Sequence, residues 1–214
     1  MPSTAAELFA AAGLHPIGAV RWNTTLGETG PGNYIVALTK DAHTLTGTLP
    51  DCPLNHGQLG HLLDVRPELR LAGSRPSVDE LAALLQAFWM PDEVVLYIGL
   101  AGTSLRKRVG QYYRTPLGAK RPHAGGWWLK TLSVLGGVWV HYAPNPENDR
   151  AEVAMLQRFS TGLSTTLVTG CRTPPIRPPL RTYARGGAIT KPTASLARPA
   201  SSGTRPCPDP DGLR

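Results

Sequence analysis

Val94-Val95-Leu96-Tyr97-Ile98-Gly99 runs directly into Leu100-Ala101-Gly102-Thr103-Ser104-Leu105-Arg106-Lys107-Arg108-Val109-Gly110-Gln111-Tyr112-Tyr113. Up to Ile98 the residues are apolar or aromatic without alternation, which reads as a strand buried on both faces. Gly99 and the small residues after it give a tight exit, and Thr103 or Ser104 can cap a helix opening at Leu105. Tyr112 follows Arg108 by one helical turn and shares its side of that helix. Upstream, Gly32-Asn33-Tyr34-Ile35-Val36-Ala37-Leu38 places a second tyrosine at the start of another apolar, β-branched strand over 34–39.

Working outward, Thr4-Ala5-Ala6-Glu7 fits a capping box for a helix over 4–12, stopped by Gly13. A weaker strand and loop are expected at 43–55. Ser77-Val78-Asp79-Glu80 is a second capping box, opening a helix with Leu81, Leu84, Leu85 and Phe88 at helical spacing before Pro91. A short helix is expected around 125–134, a third strand from Gly137 to Tyr142, and a helix from Pro146 to about Ser160. Beyond Thr173 prolines recur every few residues among arginines and serines, the composition of a disordered tail. The expected organisation is a helical extension over 1–30, a domain over 31–170 with a helical insertion near 50–92, and a Pro/Arg-rich tail over 171–214. The fold class is α+β, a small mixed or antiparallel sheet flanked by helices.

The chain has 214 residues with 41% hydrophobic content, enough for one cored domain plus appendages. No apolar run reaches the roughly 20 residues of a membrane span. A basic region followed by an apolar core is missing at the N-terminus, so no signal peptide is expected. Cys52, Cys171 and Cys207 have neither zinc-site nor disulfide-framework spacing and suit a reducing cytoplasm. The net charge is +7, and residues from Cys171 onward carry six of those charges, so the folded part has no strong global field. Locally, Arg106, Lys107, Arg108, Arg114, Lys120, Arg121 and Lys130 form a run without an intervening acid, which favours polyanions such as nucleic acid. A run of this kind is more often a solvated face, so it needs support from chemistry.

That support comes from a resemblance. Gly32-x-Tyr34 on one strand, Tyr97-Ile98-Gly99 on another, and Leu105-Arg106-Lys107-Arg108-Val109 with Tyr112 one turn later resemble the GIY-YIG nuclease family. The segment is most similar to the nuclease domain of bacterial excision-repair incision enzymes. Asp149-Arg150-Ala151-Glu152-Val153-Ala154-Met155-Leu156 is similar to the family's glutamate-bearing helix. The resemblance covers roughly residues 30–160. It implies a metal-dependent endonuclease acting on DNA, with Tyr34, Tyr97, Arg108, Tyr112 and Glu152 as catalytic residues and Gly32 and Gly99 as motif glycines. Arg106, Lys107, Arg114, Lys120, Arg121 and Lys130 would contact nucleic acid. Glu152 would hold one Mg²⁺ or Mn²⁺, hard cations that prefer oxygen donors. Arg108 would clamp the scissile phosphate with its planar fork. Tyr34 and Tyr97 would orient the attacking water. An unperturbed tyrosine titrates near ~10, so either could act as base only with help from positive charge.

Each residue also has a plainer reading: strand tyrosines as packing, Arg108 as solvent-facing, Glu152 as helix surface. Tyr113, Trp127 and Trp128 read as core or DNA-facing packing. The chain departs from the family in four places, one of them a turn before Leu105 that is one residue longer than usual. Tyr34 and Tyr97 are 63 positions apart where a short hairpin is usual. Leu100 stands where a lysine is frequent, and no asparagine follows Asn148. The last departure favours the alternative, a catalytically impaired nucleic-acid-binding protein on the same scaffold. A protein-interaction module using the proline-rich tail as ligand is the third reading.

Overall fold

The computed structural model of the chain describes residues 2–121 and 126–162. In chain order it contains α1 (Ala5–Ala11), β1 (Gly18–Arg21), β2 (Gly32–Ala37), α2 (His56–Val65), α3 (Val78–Ala87), β3 (Val95–Ala101), α4 (Leu105–Arg114), β4 (Trp139–Pro144) and α5 (Asn148–Gly162). Two 3₁₀ turns, Trp128–Thr131 and Leu135–Gly137, precede β4. The expected tail over 171–214 and residues 122–125 and 163–170 lie outside the described residues.

The α+β expectation holds in coarse form, with one sheet of order β1-β4-β2-β3 and helices around it. Every pairing is antiparallel, so the sheet is not mixed. All six residues of β2 are buried, because helices cover both faces of the sheet. On one face Tyr34, Val36 and Tyr97 pack with Leu105, Val109 and Tyr112 of α4. On the other, Ile35, Ala37 and Ile98 pack with Leu8 and Phe9 of α1 and Met155 and Phe159 of α5. The alternation along β2 thus sends successive side chains into two separate cores.

Local signals set the helix starts. Thr4 with Glu7 and Ser77 with Glu80 form complete capping boxes, and the Ser104 hydroxyl accepts from the Lys107 amide. Elsewhere tertiary contacts override the sequence pattern. Residues 2–30, which fall in the expected helical extension, contribute both to the core and to the sheet. α1 buries Leu8 and Phe9 completely, and Gly18-Ala19-Val20-Arg21 becomes an edge strand against β4. No strand forms at 43–55, where Leu54 makes only an isolated bridge to Leu132. The helix expected around 125–134 resolves into the 3₁₀ turns, and α5 begins two residues after Pro146.

The insertion between β2 and β3 carries α2 and α3, which share a small core of Leu59, Leu62, Leu63 and Leu81. It is held to the segment after α4 by Arg66, whose guanidinium lies 4.5 Å above the Trp127 ring and donates to the Gly118 carbonyl. It leaves the β2–β3 register continuous from Gly32↔Ala101 to Val36↔Tyr97, with one irregularity between Val36 and Ala37. Closing a long loop adds little entropy beyond closing a short one, so the pairing tolerates it. Among the described residues no helix is long and apolar enough to cross a membrane.

Glu93, just before β3, is almost fully buried, and its Oε2 accepts the Ser3 amide at 3.4 Å. Burial pushes its carboxyl up to about 7. The folded state therefore holds this proton where the unfolded state has lost it, and stability falls as pH rises from the ordinary carboxylate range through 7. Glu93→Gln is expected to be more stabilising at pH 8 than at pH 5, by up to about 2 kcal/mol. Chemical denaturation of both proteins at the two pH values checks this; equal differences would contradict it.

Candidate active site

The strand register brings the two tyrosines together. Tyr34 pairs directly with Gly99, and Tyr97 lies two residues earlier on the same side of β3. With no side chain at Gly99, the Tyr34 ring lies across it. A Cβ built there would sit 2.7 Å from Tyr34 Cζ and 2.7 Å from Tyr97 Cε1. The two rings stack with centroids 5.9 Å apart, and Tyr97 hydrogen-bonds Tyr34. Gly32 is equally constrained, since a Cβ there would run into the Ala143 carbonyl and meet Leu105 Cδ1 at 2.7 Å. Both motif glycines are thus sites of close approach between β2 and its neighbours.

Tyr112 completes the aromatic group, its ring 5.3 Å from that of Tyr97. Its hydroxyl donates to the Gly126 carbonyl at 3.3 Å, and Trp22 meets the ring edge-on at 5.1 Å. Tyr34, Tyr97 and Tyr112 are only 1%, 3% and 1% exposed. Burial pushes the Tyr34 hydroxyl well above the ordinary tyrosine range, and the neighbouring Tyr97 and Tyr112 add to this while Arg108 opposes it. Burial likewise raises Tyr112, with Tyr97 adding to it. Both hydroxyls are therefore neutral at physiological pH, able to donate and accept hydrogen bonds but not to act as resting bases.

The three cations at the start of α4 have different surroundings. Leu105, Val109 and Tyr112 mark the buried side of the helix. Arg106 and Arg108 stand on opposite flanks of that side, with Lys107 facing outward, as a 100° step per residue requires. Arg106 Nε donates to the Leu26 carbonyl at 2.8 Å and its Nη2 to Gly27 at 2.7 Å, tying α4 to the segment after β1. Lys107 is exposed. Arg108 is half-buried and close enough to Tyr34 to act on its hydroxyl electrostatically.

The remaining basic residues separate in the same way. Lys130 donates to the Tyr113 carbonyl at 3.1 Å and to that of Thr115, with its Nζ 5.9 Å from the Tyr112 ring centre. Burial lowers its pKa. Lys120 is 3.9 Å from Glu68 in an exposed pair, while Arg114 and Arg121 are exposed. Trp127 and Trp128 are packing residues: Trp127 Nε1 donates to Ala119 and Trp128 lies against the α4-side core. Trp22 and Gly126, which wall the Tyr112 ring, had no local sequence signal because both are remote from the motif.

Glu152 is half-buried on α5, a helix on the opposite face of the sheet from the tyrosines. α5 packs principally beneath β3, the edge strand. On α5 Glu152 is turned away from Arg158, which meets Glu7 of α1 at 3.8 Å. The structure therefore gathers Tyr34, Tyr97, Tyr112 and Arg108 on one face and sets Glu152 on the other, with β3 between them. Among the described residues no group of three or more His, Cys, Asp or Glu side chains could hold a metal. A single carboxylate ligand fits a hard cation that keeps most of its waters, such as Mg²⁺ or Mn²⁺, better than it fits zinc.

Gly99→Ala is expected to displace the Tyr34 ring and destabilise the fold by about 1–3 kcal/mol. Equilibrium denaturation together with near-ultraviolet circular dichroism measures both effects, and an unchanged tyrosine signal would contradict the packing. Searches of family models, curated proteins and solved structures found no match to this chain.

Proposed function

We propose that the protein is a metal-dependent endonuclease that hydrolyses DNA phosphodiester bonds. The observation that carries this reading is the Tyr34–Tyr97 pair stacked over Gly99 with Arg108 beside it. Packing alone would be served as well by phenylalanines, with no desolvated hydroxyl and no adjacent guanidinium. In this reading the DNA backbone lies along the outer edge of β3, between α4 and α5. Arg108 binds the non-bridging phosphate oxygens and stabilises the charge that grows on them. Tyr34, kept neutral by burial, and Tyr97 hold a water in line with the phosphorus. The water oxygen bonds to phosphorus as its proton passes to solvent, the P–O ester bond breaks, and the leaving oxygen takes up a proton from solvent and departs as an alcohol. Glu152 would hold the divalent ion, which when bound neutralises phosphate charge and lowers the pKa of water. Lys107 and Arg114, exposed on one side of α4, serve the flanking phosphates.

The near-complete burial of the three tyrosines favours a second reading, a nucleic-acid-binding scaffold without turnover. Plasmid nicking in Mg²⁺, Mn²⁺ and EDTA separates the two. Arg108→Ala and Glu152→Ala are expected to lower the nicking rate at least ~100-fold, and Tyr34→Phe at least ~10-fold, with the fold retained. Metal-independent nicking, or a Glu152→Ala variant as active as the parent, would refute the metal role. DNA binding without cleavage would establish the second reading.

A further inference from the structure

Asn33 immediately precedes Tyr34, yet it points to the opposite face of the sheet and is fully buried. Its Nδ2 donates to the Asn148 carbonyl at 2.9 Å, and its Oδ1 accepts from Asn145 Nδ2 at 3.3 Å. Asn148 opens α5 and returns the contact, its own Nδ2 donating to the Ala101 carbonyl at the end of β3, 2.8 Å away. In an α-helix the carbonyl of residue i receives the amide of residue i+4, so the Asn148 carbonyl is also the acceptor for the Glu152 amide. One carbonyl thus takes hydrogen bonds from the strand carrying Tyr34 and from the residue proposed to hold the metal. Asn145, which donates to Asn33, also accepts the Glu147 amide at 3.0 Å and fixes the turn into α5.

We propose that Asn33 and Asn148 are positioning residues, forming a bracket that sets the Glu152 carboxylate against the tyrosine pair across β3. This rests on the reading of Glu152 as the metal carboxylate. Here three carboxamides converge where β2, β3, β4 and α5 meet, and two of the contacts join elements that bear candidate site residues, Asn33 tying β2 to α5 and Asn148 tying α5 to β3. Buried amides of this kind have one satisfied arrangement, so the bracket fixes the axial position of the first turn of α5. Residues that orient a metal ligand without touching the metal typically change its affinity 10–100-fold when removed.

Mn²⁺ binding to the full chain, followed by electron paramagnetic resonance, tests this without relying on turnover. Asn33→Ala and Asn148→Ala are expected to raise the Mn²⁺ Kd about 10-fold or more. Asn33→Ser and Asn148→Ser serve if the alanine variants do not fold. Val140→Ala, a core truncation on the other face, is expected to lower stability and leave the Kd unchanged. In a Glu152→Gln background, Asn148→Ala is expected to weaken Mn²⁺ binding no further. Folded asparagine variants with the parental Kd would overturn the bracket while leaving the metal role of Glu152 standing. A parent protein without Glu152-dependent Mn²⁺ binding would overturn both.

Discussion

The pairing of Tyr34 with Gly99 across two antiparallel strands is the contact on which the rest of the structure depends. A glycine opposite an aromatic residue lets the ring lie down on the backbone, and that posture brings Tyr34 against Tyr97. The register is unforgiving, because a one-residue slip of β2 against β3 would send Tyr34 into the α1/α5 core and Ile35 into the α4 core. Two apolar cores of different shape hold the register in place, so each face of the sheet checks the other. The chain between β2 and β3 can then carry a two-helix insertion without disturbing what lies opposite what.

Burial gives the tyrosine group its chemical character. In water a phenol is a weak acid of little use near neutrality. Inside the protein its neutral form is favoured further, and the group becomes a fixed hydrogen-bonding surface. Arg108 is the nearby charge that opposes this. On the proposed reading the division of labour follows: neutral oxygens orient water, the guanidinium takes the phosphate, and the carboxylate on the far side of β3 supplies the cation site.

What the sequence revealed follows the range of the interactions involved. Ser104 capping α4, the capping boxes at Thr4 and Ser77, and the strands around Tyr34 and Tyr97 are local matters and were legible. The same helical signal could not separate Arg106 from Arg108. Their roles depend on Leu26 and Gly27 lying against one flank of α4 and Tyr34 against the other. Gly18-Ala19-Val20-Arg21 has no strand pattern of its own and becomes β1 only because β4 offers a free edge. Asn33 read as an ordinary residue inside a motif, since its partner Asn148 is 115 positions away.

The central claim is that Glu152 and the tyrosine pair act on one phosphate from opposite faces of a single edge strand. Fluorine NMR of protein carrying 3-fluorotyrosine at its six tyrosines tests this most directly, with resonances assigned by single Tyr→Phe substitutions. Bound Mn²⁺ should broaden the Tyr34 and Tyr97 signals selectively, and the broadening should disappear in the Glu152→Gln protein. Mn²⁺ bound through Glu152 with both signals left sharp would place the carboxylate in a separate site and contradict the account.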